Sequence, residues 1–118
     1  MALHNELGKH GEDMATQWLI EKGYKILNRN WKWGNNEVDV IATKGKFLYF
    51  IEVKTRNYSP NGNPEDAVSR QKFKNLQRAA NGYLTLNPNW PWIEYQILSI
   101  TVFPDNKKEF FLIEDVYL

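Results

Sequence analysis

Residues 36–56 read NEVDVIATKGKFLYFIEVKTR. Two runs rich in β-branched and aromatic residues, 37–43 and 47–54, flank Lys44-Gly45-Lys46, the pattern of an antiparallel hairpin. Glycine suits the first central position of a type II′ turn, so Gly45-Lys46 makes the better two-residue loop. Lys44 then pairs with Phe47 and, by extension, Asp39 lies opposite Glu52 and Glu37 opposite Lys54. If the loop is instead Lys44-Gly45, Asp39 and Glu52 become diagonal neighbours. In both registers the period of two leaves Glu37, Asp39, Glu52 and Lys54 on one face, with Ile41, Leu48 and Phe50.

Carboxylates directly across an antiparallel pair have Cβ atoms about 4.5–5.5 Å apart and repel each other. Two readings neutralise them. Lys54 can do so within a structural ion-pair network, or the oxygens can hold a hard divalent cation such as Mg²⁺ (or Mn²⁺). Zinc fits poorly, because the chain has no cysteine and only His4 and His10, whose spacing matches no zinc helix.

Upstream, Leu7, Gly11, Ala15, Trp18 and Leu19 recur at helical spacing from Glu6 to Lys22, after Asn5 as N-cap and before Gly23. Gly8, Glu12, Ala15 and Leu19 form a stripe facing the sheet, which puts Glu12 among apolar neighbours. Either a salt bridge or the acidic face of the hairpin accounts for it. Tyr24 to Trp31 reads as a strand and Gly34-Asn35-Asn36 as a loop. Thr55 to Asn63 reads as an irregular, substrate-facing loop of about nine residues. Asn63-Pro64-Glu65-Asp66 signals a helix start, with the helix running to about Leu84 and burying Phe73, Leu76, Ala80 and Tyr83. Ile93–Phe103 and Phe110–Tyr117 read as strands around a turn at 104–108. The order is αβββαββ, an α/β fold with a mixed sheet flanked by helices.

With 118 residues, 42% of them hydrophobic, the chain suits one compact domain, 1–118. Fifteen Lys+Arg against fourteen Asp+Glu give a net charge of +1, so total charge predicts neither a nucleic-acid nor a membrane partner. The absence of cysteine rules out disulfides and thiol catalysis. The longest apolar run, Phe47–Ile51, is far too short to span a membrane. The start MALHNELGKHGED carries no signal-peptide pattern, and a cytoplasmic location is expected.

The stretches GEDMATQWLIEKGYKILNRNW, NEVDVIA, LYFIEVKTR and PEDAVSRQKFKNLQRAANGYL together resemble the YraN-type family of small bacterial proteins. That family falls within the restriction-endonuclease-like PD-(D/E)XK superfamily, and the resemblance runs from Leu3 to the final strand. It implies a restriction-endonuclease-like αβββαβ core and a metal-dependent phosphodiesterase site. Carried over residue by residue, Asp39 matches the metal-binding aspartate, Glu52 the second metal ligand and Lys54 the catalytic lysine. Glu12 matches the helix glutamate of the similar archaeal Holliday-junction resolvases, a further metal contact, and Glu37 the family's glutamate two before the aspartate. The chain departs from the pattern in three places. Val38-Asp39 stands for Pro-Asp, Asn36 for a glycine, and Tyr95-Gln96 for a late-strand Phe-Asp.

Charge is unevenly spread. Residues 44–78 carry eight bases against three acids, the remainder seven against eleven. Arg70, Lys74 and Arg78 fall four apart on the second helix, and Lys72 and Arg56 add to the same segment. A basic outer face is either simply solvated or a phosphate track leading to the hairpin. Trp31, Trp33, Trp90 and Trp92 sit in or near loops, where they either stack on unpaired bases or close the sheet edge or a dimer contact. The expected partner is nucleic acid, DNA in the first place. A homodimer would enlarge the footprint, though no residue pattern specifies one. The competing classes are a Mg²⁺-dependent nuclease, a nucleic-acid-binding module without turnover, and a protein-interaction domain.

Overall fold

The computed structural model describes the backbone of residues 2–61 and 69–116 and the side chains of 10–61 and 69–116. The elements are α1 (Ala2–Glu21), β1 (Lys25–Trp33), β2 (Asn36–Lys44), β3 (Phe47–Asn57), α2 (Arg70–Leu86), β4 (Trp92–Val102) and β5 (Lys108–Ile113). They form one mixed sheet in the order β1-β2-β3-β4-β5. Only β3 and β4 pair in parallel; the other neighbours are antiparallel. A parallel pair needs a crossover connection, and α2 lies in it, packed on β2 and β1. This αβββαββ order is a restriction-endonuclease-like core, as the sequence predicts.

Helix α1 ends where glycine permits it to. Gly23 has φ +95°, and Tyr24 N–H donates to Leu19 O while Gly23 N–H donates to Ile20 O, the paired bonds of a Schellman motif. Gly45 has φ +62° and Lys44 pairs with Phe47, so the β2–β3 loop is Gly45-Lys46 in the expected register.

The sheet is covered on both faces. Under α2 lie Val38, Ile41, Leu48, Phe50 and Ile97 with the helix residues Phe73, Leu76, Ala79, Ala80 and Tyr83. Under α1 lie Val40, Ala42, Ile51, Leu98 and Ile100 with Ala15, Leu19 and Tyr24. Phe50, Ile51, Leu48 and Leu98 are fully buried, each contributing about 1.5–3 kcal/mol of apolar transfer.

Several expected boundaries move. Helix α1 begins at Ala2, so Asn5 lies inside it and is not its N-cap, and β1 runs on to Trp33. Thr55, Arg56 and Asn57 are not loop: parallel pairing with Thr101 and Val102 carries β3 to Asn57, a tertiary effect that turn propensity cannot register. Helix α2 begins at Arg70, because extended Ser69 caps it by accepting from Lys72 N–H at 3.2 Å. The signal at Asn63-Pro64-Glu65-Asp66 falls in 62–68, outside the described residues, and the surroundings of His4, Leu7 and Gly8 lie outside them too. Strand β5 ends at Ile113, short of the expected Tyr117, which is also outside them.

Candidate metal and nuclease site

The hairpin is continuous up to the residues of interest and then opens. Pairing of β2 with β3 runs from Lys44↔Phe47 to Val40↔Ile51 and stops. Pairing of β1 with β2 continues past that point to Trp33↔Asn36. The end of the β1–β2 pair therefore peels away from β3, and Asn30, at φ +50°, marks the kink opposite Asp39. Val40 packs under α1, yet Val38 packs under α2; strict alternation would have put both on one side. The expectation of a single flat face holding Glu37, Asp39, Glu52 and Lys54 gives way to a strand that twists at Asp39.

That twist turns the Asp39 carboxylate into the gap. With Lys44↔Phe47 closing the turn, alternation of bonded pairs would give Val53 N–H to the Val38 carbonyl. Instead Val53 N–H donates to Asp39 Oδ2 at 2.8 Å. The side chain satisfies the donor that the lost ladder leaves behind, which anchors one oxygen and frees the other.

Helix α1 delivers Glu12 to the same place. Gly11 is buried against Thr55 so closely that an added Cβ would stand 1.8 Å from Thr55 Oγ1. This approach sets Glu12 beside β2, and oxygens of Glu12, Glu37 and Asp39 lie within 4.8 Å of one another. Glu52 joins from β3 by a hydrogen bond between its carboxyl group and that of Asp39. Glu37, expected as an accessory acid, is thus a member of the trio, while Glu52 reaches it through Asp39.

Burial pushes the Asp39 carboxyl up to about 8, helped by the neighbouring charge of Glu52 and opposed by Val53 N–H; Glu12 adds to the rise. Glu52 is also raised, again chiefly by burial, against the pull of its hydrogen bond with Asp39, of Lys72 and of Lys54. One proton shared between the two groups, with Asp39 donating, relieves the repulsion when no cation is present. Lys54 is half-buried on β3, yet no carboxylate among the described residues comes within 4 Å of its ammonium; the ion pairs found are Arg29–Asp13 and Lys107–Asp105. A closed ion-pair network centred on Lys54 is therefore not what holds these acids together.

The fit to a divalent cation is good on donor chemistry. All four groups offer carboxylate oxygens; ligands about 2.0–2.1 Å from Mg²⁺ stand roughly 3–4 Å from one another, and oxygens of Glu12, Glu37 and Asp39 already lie within 4.8 Å.

Of the expected nucleic-acid contacts, Arg70, Lys74 and Arg78 are exposed along α2, and Arg56 is half-buried on β3 next to the site. Lys72 is exposed as well, and its charge acts on Glu52 more strongly than that of Lys54 does. Sequence reasoning placed Lys72 with these residues and did not register its reach to Glu52, which depends on how α2 crosses the sheet. It also left the Gly11–Thr55 contact unread, although a glycine inside a helix is itself a sign of close approach. Gln96, which stands at the late-strand acidic position, is buried and accepts from Tyr24 O–H at 3.3 Å while donating to Glu94 at 2.7 Å; it joins Tyr24 and Glu94 rather than the four carboxylates.

Among the described residues no helix is long and apolar enough to cross a membrane. The model of the family described as "Uncharacterised protein family UPF0102" matches residues 11–104, which include Glu12, Glu37, Asp39, Glu52 and Lys54. A UPF0102 protein of Flavobacterium johnsoniae is 49% identical over 84 residues, covering 71% of this chain and 68% of its own. One from Chloroherpeton thalassium is 38% identical over 119 aligned positions, covering 93% of this chain and 92% of its own. Another, from Syntrophomonas wolfei, is 43% identical over 101 positions, covering 85% and 88%. With the family model matching from α1 to the end of β4 and relatives this similar along nearly the whole length, the chain belongs to the UPF0102, or YraN-type, family.

Proposed function

We propose that the protein is a Mg²⁺- or Mn²⁺-dependent nuclease that hydrolyses phosphodiester bonds of DNA. The observation that carries this reading is the convergence of Glu12, Glu37 and Asp39 within 4.8 Å, with Glu52 bonded to Asp39. Like charges so gathered destabilise a fold unless a cation or proton offsets them. Glu12, Glu37 and Asp39 would hold the ion directly, with Glu52 completing the shell. Bound there, a divalent ion supplies a Lewis acid for the scissile phosphate and a water of lowered pKa.

The remaining chemistry belongs to the chain. Lys54 Nζ donates to the non-bridging oxygens of the scissile phosphate, where negative charge accumulates during displacement. Val53 N–H keeps Asp39 oriented. Lys72 limits the repulsion that Glu52 feels before any ion arrives. Arg56, Arg70, Lys74 and Arg78 bind phosphates outside the site and orient the strand without reading sequence.

Purified protein should be given duplex, single-stranded, flap and four-way-junction DNA, and RNA, with Mg²⁺ or Mn²⁺, beside Glu52→Ala and Lys54→Ala. Cleavage of DNA by the wild type and its loss in both variants is the expected result. No cleavage, or cleavage that survives both substitutions, overturns the catalytic reading. Binding without cleavage would identify a nucleic-acid-binding module instead.

A further inference from the structure

The Trp33 indole is 42% exposed, although it belongs to a strand next to the acidic cluster. It pairs with Asn36, beside the pair Lys32↔Glu37; the ring lies on the α2 face of the strand, whereas Glu37 meets Glu12 of α1. Its position is built. One face is stacked with Trp31, ring centroids 5.8 Å apart and planes within 10°. The ring also rests on Gly82 of α2, where an added Cβ would stand 2.3 Å from Trp33 Cδ2. Glycine inside a helix costs about 0.5–1 kcal/mol relative to alanine, and here it makes the space for an indole. Trp31 is in turn held edge-on by Tyr83 at 5.3 Å.

The setting of this ring adds an independent observation. Arg70, Lys74 and Arg78 lie four residues apart on the exposed face of α2, and the next residue of that row is Gly82, buried beneath Trp33. The basic ridge therefore runs into the seat of Trp33. Cations followed by a partly exposed indole complement a polynucleotide strand whose phosphates follow the ridge and whose base is free to stack. A base inside a duplex offers no free face to such a ring.

Resting on the nuclease reading above, we propose that Trp33 is a stacking platform for an unpaired base, which makes the preferred substrate single-stranded DNA or a duplex with a single-stranded arm.

The test measures binding, without divalent cation, of an oligothymidylate of about twelve nucleotides, of an abasic strand of equal length and of a duplex. Wild type should bind the base-bearing strand more tightly than the abasic one. Trp33→Ala should weaken oligothymidylate binding by about 5- to 100-fold and leave abasic binding unchanged. Trp33→Tyr keeps a ring and should retain the preference, while losing part of the tryptophan fluorescence quenching that oligothymidylate produces. Trp92→Ala is the control: Trp92 is 54% exposed, but it pairs with Phe47 at the other end of β3 and should have no effect. Equal wild-type affinity for base-bearing and abasic strands, or equal weakening of both by Trp33→Ala, would leave Trp33 as a packing residue and overturn the platform. Binding of no nucleic acid at all would instead remove the nuclease reading on which it rests.

Discussion

Gly11→Ala is the sharpest test of how the acidic cluster is assembled. The added methyl would stand 1.8 Å from Thr55 Oγ1, 2.8 Å from Thr55 Cβ and 3.1 Å from Thr55 Cγ2. Rotating Thr55 relieves the first and third contacts but not the second, because Cβ is fixed by the β3 backbone. Ordinary carbon contacts lie near 3.5–4.0 Å, so α1 and β3 must separate by about 1 Å. Overpacking of this kind costs roughly 1–3 kcal/mol, partly offset by the helix gain of about 0.5–1 kcal/mol on replacing glycine. The functional cost should be larger, since Glu12 follows Gly11 and moves with the helix away from Glu37 and Asp39. A displacement near 1 Å can lower a rate by about 100-fold. The assay pairs thermal denaturation with calorimetric titration of Mn²⁺. Gly11→Ala should melt lower and bind Mn²⁺ more weakly, and adding Thr55→Gly should recover the Mn²⁺ affinity. An unchanged or higher melting temperature together with wild-type Mn²⁺ affinity would refute the reasoning.

Three further outcomes follow from the same geometry. Because Asp39 is raised to about 8 in the folded protein, metal-free stability should be fullest near pH 4 and fall as pH rises toward 8, by at most about 1.4 kcal/mol per unit from this group. Chemical denaturation across that range should show the fall, Mg²⁺ or Mn²⁺ should shrink it and Asp39→Asn should flatten it; a metal-free protein equally stable at pH 5 and 8 would contradict the buried-acid assignment. Gly82→Ala forces the Trp33 ring off α2 and should lower stability by about 1 kcal/mol and change the near-UV circular dichroism; a higher melting point with an unaltered spectrum would show that the seat is not tight. Replacing Arg70, Lys74 or Arg78 singly by alanine should reduce the salt dependence of DNA affinity by about 0.7–0.9 log units per log unit of salt, and three unchanged slopes would remove the helix from the phosphate path.

Local chemistry was enough for much of this protein. The β2–β3 register follows from Gly45, because a two-residue turn with one left-handed residue admits only one good pairing. The end of α1 follows from Gly23, and the apolar face of α2 from the spacing of Phe73, Leu76, Ala80 and Tyr83. The identities of Glu12, Glu37, Asp39, Glu52 and Lys54 as candidates were legible as well, since each is a charge at a position otherwise given to the core or paired with another charge. Other features depend on partners distant in sequence. Thr55–Asn57 became strand only because β4 pairs alongside, and α2 starts only where Ser69 caps it. The site itself arises from a failure of pairing: β1 and β2 leave β3 beyond Val40, Trp33 settles on Gly82, and Asp39 turns into the opening to accept from Val53. Periodicity assumes a regular strand, so it could place the acids on one face but could not show that a twist at Asp39 brings Glu37 to Glu12, or that the charge of Lys72 reaches Glu52. The sequence by itself determined which side chains carry charge and which elements bear them. Their distances and burial, and with them the shift of Asp39 to about 8, were decided only when two helices closed over opposite faces of the sheet.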